Sequence, residues 1–374
     1  RRASDGRPPD RAGAMAGVVP EDRFGGLAPN SMVGHFDATG LDLEDTAATH
    51  VDALLASARE AEDAALAVSG VTNTNGASAG HGRTVIALGT SAGFMGRYSR
   101  TGHSISASVL AGDGALMQRD YAHHGTVHLE DLDAPALIGR EAGERAVSRV
   151  NPSRPKTGTY SIIYDPRVSS SLLGHLASAI NGASVARGTS FLKEAMGTRI
   201  LSAGLTVRDD PRRIRGAGSR PFDGEGCPAT ALDLISDGVL TTWLLDSRSA
   251  RQLDLRSNGR ASRGVSGPPS PSVTNLHLEP GDLSAGDLRS DIKEGILVTE
   301  LMGSSVNMLT GDYSRGASGF MIRNGELAEP VAELTIAGNL RDMFTRMVPA
   351  SDLSFRNSVN APSIRIDGMS IAGL

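Results

Sequence analysis

The chain has 374 residues and a net charge of −5, with 39% apolar side chains, 4% aromatic ones and 45 glycines. That length calls for two or three domains at about 100–200 residues each, with cores filled largely by small side chains. The charge balance gives no electrostatic footprint for DNA, which needs a clustered basic face, the single cysteine, Cys227, excludes an intrachain disulfide and a Cys-based zinc finger, and no run of about 18 apolar residues is present to span a membrane.

The opening segment, RRASDGRPPDRAG, is polar, contains Pro8-Pro9 and lacks the apolar stretch of a signal peptide. Residues 1–13 read as a flexible or truncated lead-in, with an upstream part expected to be missing and the cytoplasm the expected compartment. Residues 41–68 read as a helix. Leu54, Leu55, Ala58, Ala61, Ala65 and Leu66 share a stripe, and Asp42, Glu44 and Asp45 would suit its N-terminal dipole. The period then shortens to two. Residues 83–88, 104–110 and 115–122 read as strands of an antiparallel meander, with Gly112-Asp113-Gly114 as a turn. Residues 132–149 return to helix, with Ile138, Ala142, Ala146 and Val147 on one face. Asn151-Pro-Ser-Arg-Pro155 reads as a linker and places a domain boundary.

Beyond it, residues 159–164 read as a strand and residues 167–180 as a helix burying Leu172, Leu173, Leu176 and Ile180. From about residue 198 the pattern is of short strands cut by Gly, Pro, Asp and Asn, with hairpin turns at Gly238 and at Asn324-Gly325. Residues 259–287, rich in Gly, Ser and Pro, read as a long mobile loop. The expected fold class is α+β. A helix-plus-antiparallel-sheet domain over residues 14–150 precedes a β-rich domain over 151–374, a curled sheet or open barrel with few helices.

A metalloprotease helix needs two His one turn apart to hold the ion and a Glu beside the first to deprotonate its water. None of the nine His is followed by Glu, so neither HExxH nor HExxxH exists. His124 and His128 have i, i+4 spacing, with His123 and Glu130 nearby. They follow strand residues, where that spacing spans about 13 Å, so surface or edge positions are expected. Gly89-Thr-Ser-Ala-Gly93 matches the G-x-S-x-G nucleophile elbow, but a second strand rather than a helix follows, so a hairpin connection is expected. His175 lies beside the apolar face of its helix and reads as a packing residue. Cys227 reads as a spectator thiol, and Asp223 and Glu225 as acidic turn residues with an outside role in acid–base chemistry.

Several ordered segments resemble one family. Val298-Thr-Glu-Leu-Met-Gly303 is followed by Thr310-Gly-Asp-Tyr-Ser-Arg-Gly-Ala-Ser-Gly-Phe320, Asn324-Gly-Glu326, Pro330-Val331 and Glu333-Leu-Thr-Ile-Ala-Gly-Asn-Leu-Arg-Asp-Met343. Arg220-Pro-Phe-Asp-Gly-Glu-Gly226, Gly174-His-Leu176, Ser190-Phe-Leu192, Pro271-Ser-Val-Thr-Asn-Leu276, Thr72-Asn-Thr74 and Arg119-Asp-Tyr121 agree. Together they resemble the TldE/PmbA branch of the TldD/TldE metalloprotease family over roughly residues 14–374. The resemblance implies a two-subunit protease whose TldD-like subunit carries zinc on an HExxxH helix, with a further Cys ligand. Here the corresponding helix, Ser171-Leu-Leu-Gly-His-Leu-Ala-Ser-Ala-Ile-Asn181, has one His and no Glu, and Phe355–Ser363 near the C-terminus has no Cys.

The resemblance therefore implies a subunit with no catalytic or metal-ligating residue and no cofactor of its own. It would partner a zinc-bearing TldD-like chain and act on extended peptides, with a homodimer as one possible state when alone and no membrane or direct nucleic-acid contact expected. Gly311, Asp312, Tyr313, Ser314 and Arg315 are the candidates to face the shared chamber; a demanding turn is the other reading of that segment. The alternatives are an autonomous peptidase or hydrolase with an unrecognised site, and a regulatory, gyrase-modulator-like binding protein.

Overall fold

The structure is a computed structural model that describes residues 13–34, 36–114 and 117–374. The lead-in therefore falls almost wholly outside the described residues, as do the first two positions of the strand expected at 115–122. Helix α1 (Val51–Leu66) leads into a three-stranded antiparallel sheet of β1 (Val71–Gly89), β2 (Met95–Ala111) and β3 (Gln118–Thr126), ordered β1-β2-β3, and then into α2 (Pro135–Ser148). Alternation along β2 turns Ile105, Ala107, Val109 and Ala111 toward the helices, where they meet Ala61, Ala65, Ile138, Ala142 and Ala146. This core is built almost entirely of alanine and aliphatic residues, so the helices must approach closely. A Cβ on Gly139 would sit 1.9 Å from the Ala61 carbonyl oxygen, and one on Gly143 2.7 Å from Val68.

α1 starts ten residues later than the acidic cluster predicts. Asp42 is left-handed at φ 48° and ends a short 3-10 turn, Thr39–Leu41. The three acids serve tertiary contacts instead of a helix dipole. Asp42 pairs with Arg215, Glu44 with Arg83 and Ser99, and Asp45 accepts the Leu129 N–H. The buried stripe is also narrower than predicted, since Leu55 and Leu66 remain exposed.

The second half is organised around a closed five-stranded barrel. Strand β4 (Gly158–Tyr164) pairs in parallel with β5 (Glu294–Val306), which continues antiparallel through β6 (Asp312–Arg323) and β7 (Glu326–Asn339). Strand β8 (Ile364–Ala372) closes the ring by pairing with both β7 and β4. The fold class is thus α+β, and the barrel is shut where the sequence left it open. β5 to β7 are also long, not short. Their glycines and Pro330 lie within the strands and accommodate curvature: the ladder shifts register between Val298/Glu300, Met302/Ser305, Ala317/Gly319 and Phe320/Ile322.

Helix α3 (Pro166–Ala179) follows β4 directly. Pro166 occupies its first turn and the Asp165 carboxylate caps it by accepting the Arg167 N–H. It packs Leu172, Leu173 and Leu176 into the large core it shares with the barrel. Short strands at Val207–Asp209, Leu232–Ser236, Val239–Leu240, Leu276–Leu278 and Val359–Asn360 form a second sheet beside it. Both predicted two-residue hairpin turns are present, with positive φ at Asp237-Gly238 and Asn324-Gly325. Much of the loop expected over 259–287 is pinned. Arg260 is fully buried against Asp209, 2.5 Å away, and Asn275 is buried against Ser219 and Asp210. No helix among the described residues is long and apolar enough to cross a membrane.

Candidate functional site

The G-x-S-x-G segment is the turn joining β1 to β2. Gly93 donates its N–H to Thr90 O and Phe94 donates to Thr90 Oγ1, so the glycines serve a hairpin and Ser91 has no elbow geometry. His124, on the edge strand β3, and His128 turn to different carboxylates, and neither is a surface histidine: both are buried. His128 Nε2 lies 3.2 Å from Asp42 Oδ1, while His124 Nδ1 accepts the Asp133 N–H. The same nitrogen lies 3.2 Å from the Asp133 carboxylate. Burial first, then Arg356, holds His124 below the usual imidazole range. His103, one strand across, is also buried and lies 4.6 Å from the His81 ring, and burial again depresses it.

Asp223, Glu225 and Cys227 form the group among the described residues whose potential ligand atoms all lie within 4.8 Å of one another. Their chemistry is that of a folded turn. Asp223 accepts N–H groups from Glu225, Cys227 and Ala261, and Glu225 accepts from Ser247. Burial pushes the Cys227 thiol up to about 12. Both Asp223 oxygens and one Glu225 oxygen are engaged by backbone N–H and hydroxyl donors, the pattern of a structural turn.

On α3, His175 stands edge-on to Tyr313, with ring centroids 6.0 Å apart. Its Nε2 is buried without a hydrogen-bond partner among the described residues, while the hydroxyls of the neighbouring Tyr164 and Tyr313 face each other. Burial and Arg315 lower the His175 pKa. A single imidazole beside two phenols and a guanidinium is a poor cation site, because it offers no carboxylate.

The five predicted chamber residues open β6. Gly311, at φ 87°, makes the turn into the strand. The Asp312 carboxylate is exposed, accepts from Thr310 and Asn339, and these bonds lower its pKa. Strand alternation then sends Tyr313 into the core, Ser314 to solvent and Arg315 to a half-buried position donating to the Met302 carbonyl.

The larger concavities lie between the two halves of the molecule. One, of about 1110 Å³, runs between the β1–β2 face and the segments 213–217 and 354–358. A second, of about 640 Å³, shares His123 and Arg356 with it and reaches Asp120, Arg149 and Arg167. Burial alone would raise Asp120, yet Arg167 and Arg149, at 2.6 and 3.1 Å, bring it below the ordinary carboxylate range. Arg149 also reaches Glu300 and Ser318 on the barrel. No local motif marks either concavity, because each is assembled from segments far apart in the chain.

An antiparallel central sheet capped by two helices and joined to a closed five-stranded barrel is an architecture shared with the PmbA/TldD metallopeptidases. The chain belongs to that family, on its PmbA/TldE branch: residues 44–150 match the PmbA/TldA metallopeptidase central domain and residues 157–373 the C-terminal domain. It is 38% identical to metalloprotease PmbA of Escherichia coli O157:H7 over 361 residues, covering 96% of this chain and 78% of that one. A PmbA homolog from Haemophilus influenzae is 35% identical with the same coverage of each. Among solved structures, a Bacteroides thetaiotaomicron protein named for DNA gyrase modulation superposes with a TM-score of 0.88 at 28% identity, over 96% of this chain and 81% of that one. TldE from Thermococcus kodakarensis gives 0.84 at 21% identity, a likeness of fold, over 97% and 83%.

Proposed function

We propose that this chain is the TldE/PmbA-type subunit of a cytoplasmic, two-subunit metalloprotease. It has no catalytic or metal-binding residues of its own, and it shapes the path of an extended peptide toward zinc held by a TldD-like partner. The observation that carries this reading is α3. The helix that the resemblance aligns with the metal-binding helix presents His175 alone, packed against Tyr313, with no following Glu. The Asp223–Glu225–Cys227 group is read as a structural turn, since its carboxylates already accept backbone N–H groups and the Ser247 hydroxyl. Asp312 and Ser314, on the accessible side of β6, would border the peptide path, with Gly311 shaping the turn and Tyr313 and the half-buried Arg315 supporting it from beneath.

Metal content by mass spectrometry, on the purified chain alone and after co-expression with a TldD-like subunit, tests this. The expected result is no stoichiometric zinc alone and about one per heterodimer. One tightly held zinc in the isolated chain would overturn it and favour an autonomous peptidase.

A further inference from the structure

The groove of about 1110 Å³ between the central sheet and the barrel half exceeds the ~300–1,000 Å³ of ordinary small-molecule pockets, so its size suits a length of chain. Its floor is made of the alternate positions of β1 and β2 that face away from the helices, among them Gly80, Gly82, Gly102, Ser104 and Ser106. Side chains this small let a bound main chain come close to the sheet.

The walls are cationic although the whole chain carries −5. Arg100, Arg213, Arg215 and Arg356 line the groove, against Asp131 as the acid among its lining residues. Two of the four are spoken for: Arg215 pairs with Asp42, Glu130 and Asp131, and Arg356 with Asp133. The other two have no carboxylate in ion-pair reach among the described residues. Arg100 donates to the Ala217 carbonyl at 2.7 Å. The Arg213 guanidinium carbon lies over the Phe355 ring, 3.3 Å from its centroid. Stacking fixes the plane of a guanidinium and leaves its N–H edge free to fork a carboxylate. Burial also lowers the Arg213 pKa, the cost of a partly desolvated cation that an arriving anion would relieve.

We propose that this groove binds an extended, acidic stretch of polypeptide, with its main chain along the Gly/Ser floor and its carboxylates on Arg100 and Arg213. The proposal rests on the reading of this chain as a peptide-handling subunit and names the substrate class it favours. A single-stranded nucleic acid is the other polyanion to consider. It binds by stacking bases on exposed aromatic platforms, and the groove's phenylalanine, Phe355, is already covered by Arg213.

Fluorescence anisotropy with short unstructured peptides of matched length, acidic, neutral or basic, and with a single-stranded oligonucleotide competitor, tests it. The whole chain is used with and without its TldD-like partner. The acidic peptide should bind about tenfold or more tighter than the neutral one, weaken with added salt, and lose that preference in the Arg100→Ala, Arg213→Ala double variant while neutral-peptide binding is unchanged. Arg213→Gln, which keeps a planar group over Phe355, should lose part of it if the double variant does not fold. Equal binding of acidic and neutral peptides, an acidic preference that survives both sets of variants, or displacement by the oligonucleotide at lower concentration than by acidic peptide would each overturn the proposal. Failure of every peptide to bind, with the partner present, would instead sink the peptide-handling reading beneath it.

Discussion

His103, His124 and His175 are each held below the ordinary imidazole range, with burial the leading cause at all three. The sign of the consequence is fixed by which state takes protons first. Unfolded histidines titrate near pH ~6.5, while the folded sites stay neutral to lower pH. As pH falls the unfolded chain gains protons before the folded one, so stability is full above pH ~6.5 and declines below it. Urea midpoints should therefore drop between neutral and mildly acidic buffer. His124→Asn keeps an acceptor for the Asp133 N–H without a titrating ring, and should flatten the slope. A wild-type midpoint that does not move with pH would contradict this account.

Among the elements, the α1–α2 pair depends on the missing side chain at Gly139. Gly139→Ala would drive a methyl to within 1.9 Å of the Ala61 oxygen and should destabilise by about 1–3 kcal/mol, as overpacking does. Gly174, inside α3, has open space where its Cβ would stand. Gly174→Ala should stabilise by about 0.5–1 kcal/mol through helix propensity. Denaturant melts of the two variants should move in opposite directions. These helices were legible in the sequence because Ile138, Ala142 and Ala146, or Leu172, Leu173 and Leu176, recur at helical spacing. The barrel strands were less so. Gly303, Gly316, Gly319 and Pro330 punctuate them, and a glycine that relieves curvature looks the same in a sequence as one that ends a strand. The acids at 42–45 misled for a related reason: an N-terminal helix charge and a tertiary ion pair have one spelling, and Arg215, which decides between them, lies far along the chain. Of the candidate site, the Gly311–Arg315 segment was visible as a motif, whereas Arg100, Arg213 and Phe355 meet through tertiary folding alone.

At the scale of the whole molecule, the two halves are joined through a buried charge network. Asp120, with a side chain 1% exposed, sits between Arg149 and Arg167, and Arg149 continues to Glu300. Asp120→Asn would leave two guanidinium groups facing each other with little solvent, at a cost of about 3–5 kcal/mol. Calorimetry should then resolve separate transitions for the two halves, and a single unchanged transition would show that the network is not what couples them. The closed barrel has a further consequence. Strand β4 finds its neighbours at Glu294–Val306 and at Ile364–Ala372, so neither of its sides can be satisfied early in translation. The seam between β7 and β8 waits as well. During synthesis this unit must persist as an open ribbon until Ile364–Ala372 has left the ribosome. Its dependence on chaperones should be concentrated in that interval, when bare strand edges invite pairing with other nascent chains.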